Sequence, residues 1–274
     1  NFLQNIRGCI MKYKIVAGLR TKDEDWIIDK TLSSLGNFCD TVVVYDDFST
    51  DNTEEICRSY NFVEWRQSAP RDPYVWNAGQ QATELLGFVE NHDPDYMFIL
   101  DADEIPTPSV MNFFDNVDES VNLWKTRMIN LFGDKQHYRV DKYTTSFGAN
   151  INWNPFSPNA WYKYPLIKYD RSIKYSYHPL KVGLGSFGPV HPAPNNTPTP
   201  HAQTEEFYII HYGKISPSFL SGDKQKFYAK NDEIMGKGTY EARLSHHMGC
   251  SGFSNDEPLT LIECNNDWFW EEQQ

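Results

Sequence analysis

Four short apolar runs alternate with segments of helical periodicity over the first hundred residues of this 274-residue chain. The runs are rich in β-branched residues, which is typical of strands that are buried on both faces. They cover residues 15–19, 41–45, 62–65 and 96–100. Helices are predicted between them over residues 21–35, 54–60 and 74–89. Because strands that alternate with helices form βαβ units, the pattern predicts an α/β fold with a mostly parallel sheet flanked by helices.

The second half of the chain has a different character. Pro and Gly are dense over residues 179–200, which predicts mostly loop there. Further elements are predicted as a helix that ends at Phe114, strands over 122–131 and 207–210, and a helix from Ser216 to Lys230. Rings are concentrated between residues 143 and 177, where they form either a stacking platform for a sugar or base or the packing of a small lobe over the sheet. These rings are Phe147, Trp153, Phe156, Trp161, Tyr162, Tyr164, Tyr169 and Tyr175.

Composition narrows the class of protein. A net charge of -12 and a pI of 5.1 argue against a general nucleic-acid binder, which would carry a basic face. The apolar runs are too short to span a bilayer and residues 1–10 lack the features of a signal peptide, so no integral membrane segment is predicted. The five cysteines are scattered and odd in number, which is typical of free thiols in a reducing compartment. Together these features predict a cytoplasmic globular protein, with an enzyme as the leading class.

Charged residues follow three of the predicted strands. Arg20 comes after the first strand, Asp46 and Asp47 after the second, and Asp101 and Asp103 after the fourth. In an open α/β sheet, ligands bind at the carboxyl ends of the strands. Mg²⁺ and Mn²⁺ prefer one or two carboxylates together with substrate phosphates. The Asp-Ala-Asp sequence is therefore predicted to hold a divalent cation that joins the protein to a diphosphate.

Two of these segments resemble the family-two nucleotide-sugar glycosyltransferases. Residues 44–53 are similar to the DDGSTDGT segment of that family, with Phe48 and Asn52 in place of its two glycines. Residues 99–104 are similar to its LDADD metal motif. The resemblance covers residues 12–104 closely.

Weaker similarities lie outside these two motifs. Arg71 precedes Asn77 at a spacing similar to that of an Arg and an Asn in the family. His211 follows an apolar strand, as does the histidine that supplies a late metal ligand in many members. Residues 165–230 resemble the family only loosely.

The resemblance implies a GT-A type, Rossmann-like sheet and an aromatic-rich acceptor lobe. It implies transfer of a sugar from a nucleoside diphosphate sugar, with a UDP-sugar favoured, and a Mn²⁺ or Mg²⁺ cofactor. Asp47 would accept a hydrogen bond from the base. The implied nucleotide-binding residues are Arg20, Asp47, Arg71, Asn77 and Asp101, and the implied metal ligands are Asp101, Asp103 and His211.

On this basis the chain divides into four segments. Residues 1–11 are interpreted as an upstream extension or an expression remnant, 12–120 as the nucleotide-sugar-binding half, 121–235 as the acceptor-side half and 236–274 as a C-terminal tail. Three lysines of the helix after His211 are interpreted as a solvated face in preference to a diphosphate contact. They are Lys224, Lys226 and Lys230.

Several questions stay open at the level of sequence. No general base is assigned, because His178 and His191 are each followed by proline where the family places an acid, so inversion and retention are both open. A saccharide is the favoured acceptor, with a modified nucleic-acid base as the alternative. Two other functions compete with glycosyl transfer. One is a nucleotidyltransferase that makes the sugar nucleotide, and the other is a non-catalytic sugar- or nucleotide-binding module.

Overall fold

The structure is a computed structural model that describes residues 11–69, 78–139, 142–144, 150–152, 162–171, 175–182, 186–194, 201–250 and 261–271. Within these ranges the helices are α1 Ile28–Leu35, α2 Thr53–Ser59, α3 Ala78–Glu90, α4 Val110–Asp115, α5 Pro217–Leu220, α6 Asp223–Ile234 and α7 Tyr240–Cys250, and a short 3₁₀ helix covers Asn266–Trp268. The strands are β1 Ile15–Thr21, β2 Thr41–Asp46, β3 Val63–Gln67, β4 Tyr96–Asp101, β5 Glu104–Pro106, β6 Leu123–Asn130, β7 His137–Arg139, β8 Lys142–Thr144, β9 Asn150–Asn152, β10 Tyr162–Lys168, β11 Tyr175–Val182, β12 Ser186–Pro194, β13 His201–Gln203, β14 Ile209–His211 and β15 Leu261–Glu263.

The central sheet has the strand order β3-β2-β1-β4-β10-β6-β14-β5, with β13 also paired to β6. Strands β3, β2, β1 and β4 are parallel to one another, as the βαβ pattern predicts. Strand β10 is antiparallel to both β4 and β6, whereas β14 is parallel to β6. The predicted α/β fold, a mostly parallel sheet flanked by helices, is therefore confirmed, and the arrangement is consistent with a GT-A, Rossmann-like fold.

Alternate residues of the parallel strands enter two separate cores, which explains why these strands are apolar throughout. Ile15, Ala17 and Leu19 of β1 pack with α1, α2 and α4 on one face of the sheet. Val16 of β1 packs with the apolar side of α3 on the other face. Because both faces of the sheet are covered, a ligand can bind only at its edges. The predicted site lies at the edge formed by the carboxyl ends of β1, β2 and β4.

The prediction of mostly loop over residues 179–200 is wrong, because β11 and β12 form an antiparallel pair there. A two-stranded ribbon has a free edge on each strand, and proline is tolerated where no partner needs its missing N–H group.

The single helix predicted from Ser216 to Lys230 is divided into α5 and α6. Gly222 lies between them with φ 82°, a left-handed conformation that interrupts the helix. Helix α7 lies within residues 236–274, the segment interpreted as a tail.

Most of the predicted ring-rich region falls outside the described residues, including Phe147, Trp153, Phe156 and Trp161. Tyr164 and Tyr169 are described, and both pack against the core on the α3 face of the sheet. A separate aromatic cluster, with Phe98, Phe113 and Phe207 at its centre, lies in the core on the other face. The aromatic-rich acceptor lobe stays a prediction.

Three of the cysteines, Cys39, Cys57 and Cys264, are buried free thiols. Burial raises the pKa of Cys57 and Cys264 to about 12, so these thiols are protonated at neutral pH. No helix in the described ranges combines the length and the apolar character that crossing a membrane requires.

Candidate active site

The carboxyl ends of β1, β2 and β4 meet at one edge of the sheet. Arg20 of β1 is in register with Tyr45 of β2 on one side and with Asp101 of β4 on the other. The backbone N–H of Ala102 donates to the carbonyl oxygen of Arg20 at 3.0 Å, and that of Asp47 donates to the carbonyl oxygen of Thr21 at 2.9 Å. The loops after these strands are therefore fixed to β1 at their first residue.

Most polar side chains of the 46–53 segment hold the loop after β1. The backbone N–H of Asp23 donates to Ser49 Oγ at 2.8 Å, and that of Asp25 donates to Asp51 Oδ2 at 3.0 Å. The Thr50 backbone N–H donates in return to Asp23 Oδ1 at 2.6 Å. This part of the motif therefore joins the loop after β2 to the loop after β1 by hydrogen bonds.

Phe48 stands where the resembled family has a glycine. Its φ is 57°, the left-handed region that a side chain with a Cβ atom rarely adopts. The turn thus keeps the conformation that glycine would favour although the residue has changed.

Asp47 directly follows β2, and this residue is only 8% exposed. Its Oδ1 accepts from Ser68 Oγ at 3.4 Å, and its backbone carbonyl accepts from Lys22 Nζ at 2.8 Å. The structure therefore places this predicted base-binding residue between the loops that follow β1 and β3.

Asp101 is held by two cations of the protein. Arg20 forms an ion pair with its Oδ1, and Lys163 of β10 lies 3.3 Å from its Oδ2. Burial disfavours the charged carboxyl, but Arg20 and Lys163 outweigh this effect and lower the pKa of Asp101 to about 2. Asp101 is therefore ionised and already paired within the protein.

Lys163 and Glu104 form a buried ion pair beside Asp101. Their side chains are 6% and 4% exposed. Burial alone would lower the pKa of Lys163, yet Asp101 and Glu104 keep it above its usual value. Glu104 Oε2 also accepts from the backbone N–H of Asp101 at 2.7 Å, which closes the turn after β4.

Asp103 faces His211, with 3.5 Å between Asp103 Oδ2 and His211 Nε2. The two residues meet because β14 pairs with β5 and places His211 opposite Glu104. His211 Nδ1 lies 2.6 Å from Asn130 Oδ1, an acceptor, so Nδ1 carries the proton and Nε2 faces Asp103. Burial opposes ionisation of Asp103, but the charge of His211 in its protonated form and the charge of Lys224 hold the pKa of Asp103 well below the usual range.

Lys224, at the start of α6, completes the cluster. Its Nζ lies 3.6 Å from Asp103 Oδ2. Burial would lower the pKa of Lys224, but the charges of Asp103 and other acidic groups raise it above its ordinary value, so the side chain is a cation. Interpretation of Lys224 as part of a solvated face is therefore wrong, whereas Lys226 and Lys230 are on the exposed side of α6 and pair with Asp223 and Glu233.

Glu24, in the loop after β1, is a further acid of this edge. Its Oε2 accepts from Trp26 Nε1 at 2.6 Å. Burial and the negative charge of Asp103 raise the pKa of Glu24 to about 8. Its carboxyl therefore gives up its proton much less readily than that of Asp101.

The contacts at this edge bring some predicted residues together. Arg20 meets Asp101, and Asp103 meets His211, whereas Arg71 and Asn77 lie outside the described residues. Sequence reasoning missed Asn130, Lys163 and Glu24 as parts of the site, and it gave a diphosphate contact of Lys224 only as the less favoured interpretation. Lys163 lies between two tyrosines in an apolar stretch, which was a signal for it, whereas the α6 sequence does not distinguish Lys224 from Lys226 and Lys230.

The donor set at Asp103 and His211 fits a divalent cation. A carboxylate and an imidazole are both ligands for Mn²⁺, and an Nε2 lone pair facing a carboxylate is favourable only with a cation or a proton between them. Among the described residues, no three His, Cys, Asp or Glu side chains form a group that could hold a metal ion. Further ligands would have to come from substrate phosphates and water, which is the usual arrangement for Mg²⁺.

No family model and no curated protein matches the chain. It is similar to the solved structure of glucosyl-3-phosphoglycerate synthase from Mycobacterium tuberculosis in complex with Mn²⁺, UDP and glucosyl-3-phosphoglycerate, at 19% identity and a TM-score of 0.35, over 45% of this chain and 47% of that chain. The same enzyme with Mg²⁺ and UDP matches at 18% identity and a TM-score of 0.35, over 45% and 46% of the two chains. A structure described only as a mycobacterial protein matches at 20% identity and a TM-score of 0.33, over 43% and 42%. The chain spans less than half of the length of these proteins, and likeness at this level does not transfer their activity to it.

Proposed function

We propose that this protein is a metal-dependent glycosyltransferase that takes a sugar from a UDP-sugar. The observation that carries the proposal is the Asp103–His211 pair at the carboxyl edge of the sheet, with 3.5 Å between its facing atoms. Asn130 fixes the imidazole so that Nε2 faces the carboxylate, as a metal-binding histidine requires. The resemblance of residues 44–53 and 99–104 to glycosyltransferase motifs supports the same function.

Asp103 and His211 would hold the divalent cation, Mn²⁺ or Mg²⁺. When bound, this cation would stabilise the diphosphate as it leaves the sugar, by Lewis-acid action. Asp101 would fix the side chains of Arg20 and Lys163 through its ion pairs with them. The negative charge of its carboxylate would also favour a cation at this site.

The nucleoside would lie over the ends of β1 and β2. Asp47 would accept from the imide N–H of uracil, and a base that presents an acceptor there would be rejected because two acceptors would face each other. Arg20, Arg71 and Asn77 are proposed to flank the base and the diphosphate. A saccharide is the proposed acceptor, since the net charge of -12 disfavours approach of a nucleic acid.

The test begins with a screen of UDP-, GDP- and TDP-sugars by thermal shift, with and without Mn²⁺. A ligand at 100 times its Kd should stabilise the fold by about 2.7 kcal/mol. We expect UDP-sugars to stabilise the protein in Mn²⁺ and to be hydrolysed slowly to UDP. Asp103→Asn should fold normally and lose this Mn²⁺-dependent hydrolysis by at least about tenfold, about 1.4 kcal/mol in the barrier.

The matched control is Asp118→Asn. Asp118 lies in an exposed turn and accepts from Ser120 at 2.7 Å, away from the sheet edge. Its replacement should leave hydrolysis unchanged. Equal Mn²⁺-dependent hydrolysis in Asp103→Asn and wild type, or no stabilisation by any nucleotide sugar, would refute the proposed function.

A further inference from the structure

The acids of the site edge are matched by cations that the protein itself supplies. Asp101 pairs with Arg20 and Lys163, Glu104 pairs with Lys163, and Asp103 lies beside Lys224. A divalent cation that approaches Asp103 therefore meets a carboxylate that already has an ammonium group next to it.

The three cations differ in how firmly they are held. Arg20 and Lys163 make close ion pairs, and the Lys163 side chain is only 6% exposed. Lys224 Nζ is 3.6 Å from Asp103 Oδ2, which is longer than a hydrogen bond, and its side chain is 27% exposed. A lysine ammonium on a flexible four-carbon stem can change partners at little cost. Lys224 is thus the cation of this edge that is best able to turn toward a ligand.

The position of Lys224 next to Asp103 also indicates which part of a ligand it would meet. A divalent cation at Asp103 would take phosphate oxygens as further ligands, so the diphosphate would lie within a few ångströms of this carboxylate. An ammonium group there can donate three hydrogen bonds to phosphate oxygens and lowers the energy of negative charge that develops on them.

We propose that Lys224 leaves Asp103 when the donor binds and donates to the diphosphate, so that one ammonium group both competes with the divalent cation before binding and stabilises the leaving diphosphate afterwards. This inference rests on the proposed function of the site. It assigns Lys224 as a residue that touches substrate, which the sequence did not favour.

The two halves of the proposal predict opposite changes in one variant. Lys224→Met should bind UDP about tenfold more weakly, about 1.4 kcal/mol, while its Kd for uridine stays unchanged. In the absence of nucleotide, the same variant should bind Mn²⁺ several-fold more tightly, because the competing charge is gone. Calorimetry gives the Kd of UDP, ligand-observed NMR that of uridine, and electron paramagnetic resonance of free Mn²⁺ the metal affinity. Lys224→Arg should keep UDP binding near that of wild type.

Lys226→Met is the matched control, since Lys226 lies two positions along α6 and pairs with Asp223 on the exposed side. It should change neither UDP nor Mn²⁺ binding. Two results would overturn the assignment of Lys224 and leave the proposed function standing. One is a ratio of UDP to uridine affinity that is unchanged in Lys224→Met, and the other is Mn²⁺ binding by this variant that is no tighter than in wild type. If wild type binds no nucleoside diphosphate at all, the proposed function falls, and the assignment falls with it.

Discussion

The carboxylates that meet at this sheet edge have different environments, and those environments decide what each can do. Asp101 is held between Arg20 and Lys163 and is ionised with a pKa of about 2. Burial and the negative charge of Asp103 raise the pKa of Glu24. Asp103 contacts a histidine and a lysine through longer distances of 3.5 and 3.6 Å. Of these acids, Asp103 is therefore the one whose partners leave room for a ligand.

Gly213 sets the spacing of this pair. A Cβ atom at Gly213 would lie 2.5 Å from His211 Nε2 and 2.7 Å from Asp103 Oδ2. Gly213→Ala should push the two side chains apart and weaken UDP binding in Mn²⁺ by about tenfold, about 1.4 kcal/mol, as measured by calorimetry. The fold should be kept, because both clashing groups are side chains.

The control for Gly213→Ala is Gly87→Ala. Apart from its chain neighbours and the backbone of its own helix α3, no atom lies within 4 Å of a Cβ placed at Gly87. This replacement should leave UDP binding unchanged and stabilise the helix by about 0.5–1 kcal/mol. Tight UDP binding by Gly213→Ala would show that the close spacing of Asp103 and His211 is not needed.

At the scale of elements, one buried aspartate joins α6 to α7. Asp232 near the end of α6 accepts from Lys237 Nζ at 2.9 Å, from Arg243 Nη2 at 2.7 Å and from His247 Nε2 at 2.9 Å. Burial lowers the pKa of His247, so it donates to Asp232 as a neutral imidazole at neutral pH. The position of α6, and with it that of Lys224, depends on this junction.

Asp232→Asn should therefore destabilise the protein in a pH-dependent way. Burial opposes ionisation, but the three donors outweigh it and lower the pKa of Asp232 to about 2 in the folded state. Since the unfolded value is about 3.9, the ion pair stabilises the fold fully above that pH, by roughly 2 kcal/mol, and this contribution is lost as the pH falls toward 2. Urea unfolding of wild type and variant from pH 7 to pH 3 should show a gap that narrows with acid.

Glu241→Gln removes an exposed carboxylate of α7 and serves as the comparison. Its unfolding free energy should stay close to that of wild type at every pH. A gap between wild type and Asp232→Asn that does not narrow below pH 4 would mean that the charge of Asp232 does not hold the two helices together.

For the whole molecule, the C-terminal segment supports the strands that carry the site. Cys264, Trp268 and Trp270 pack with Ile105 of β5 and Ile210 of β14 in a third apolar core. Trp270 Nε1 donates to the carbonyl oxygen of Pro106 at 2.8 Å, and β15 pairs with β7. The end of the described chain thus covers β5 and β14, which place Glu104 and His211.

Truncation after residue 260 should lower the free energy of unfolding by at least about 3 kcal/mol, since it removes several packed rings. It should also weaken Mn²⁺ binding, because β14 loses part of its support. Truncation after residue 271 is the control and should change neither quantity. A shortened chain that unfolds at the same urea concentration as the full one would refute the supporting role.

Local patterns determined the framework of this protein. The β-branched runs and the helices between them predicted the parallel strands β1 to β4, because each pattern is complete within a few residues. The same patterns placed Arg20, Asp47, Asp101 and Asp103 at one edge, because carboxyl ends of parallel strands meet. The ribbon of β11 and β12 was not predicted, because a local pattern rich in proline indicates a loop. Proline is tolerated in these strands only because their pairing leaves a free edge on each of them.

Only the tertiary structure decided what surrounds each of these acids. Lys163 reaches Asp101 from 62 residues away, and Asn130 orients His211 from 81 residues away. These contacts depend on the order in which β10, β6, β14 and β5 join the sheet, and no local pattern encodes that order. The local sequence does not distinguish Lys224 from the other lysines of α6. Its ammonium group lies beside Asp103 only because of where α6 packs, and a contact between distant residues exists only after the chain has folded.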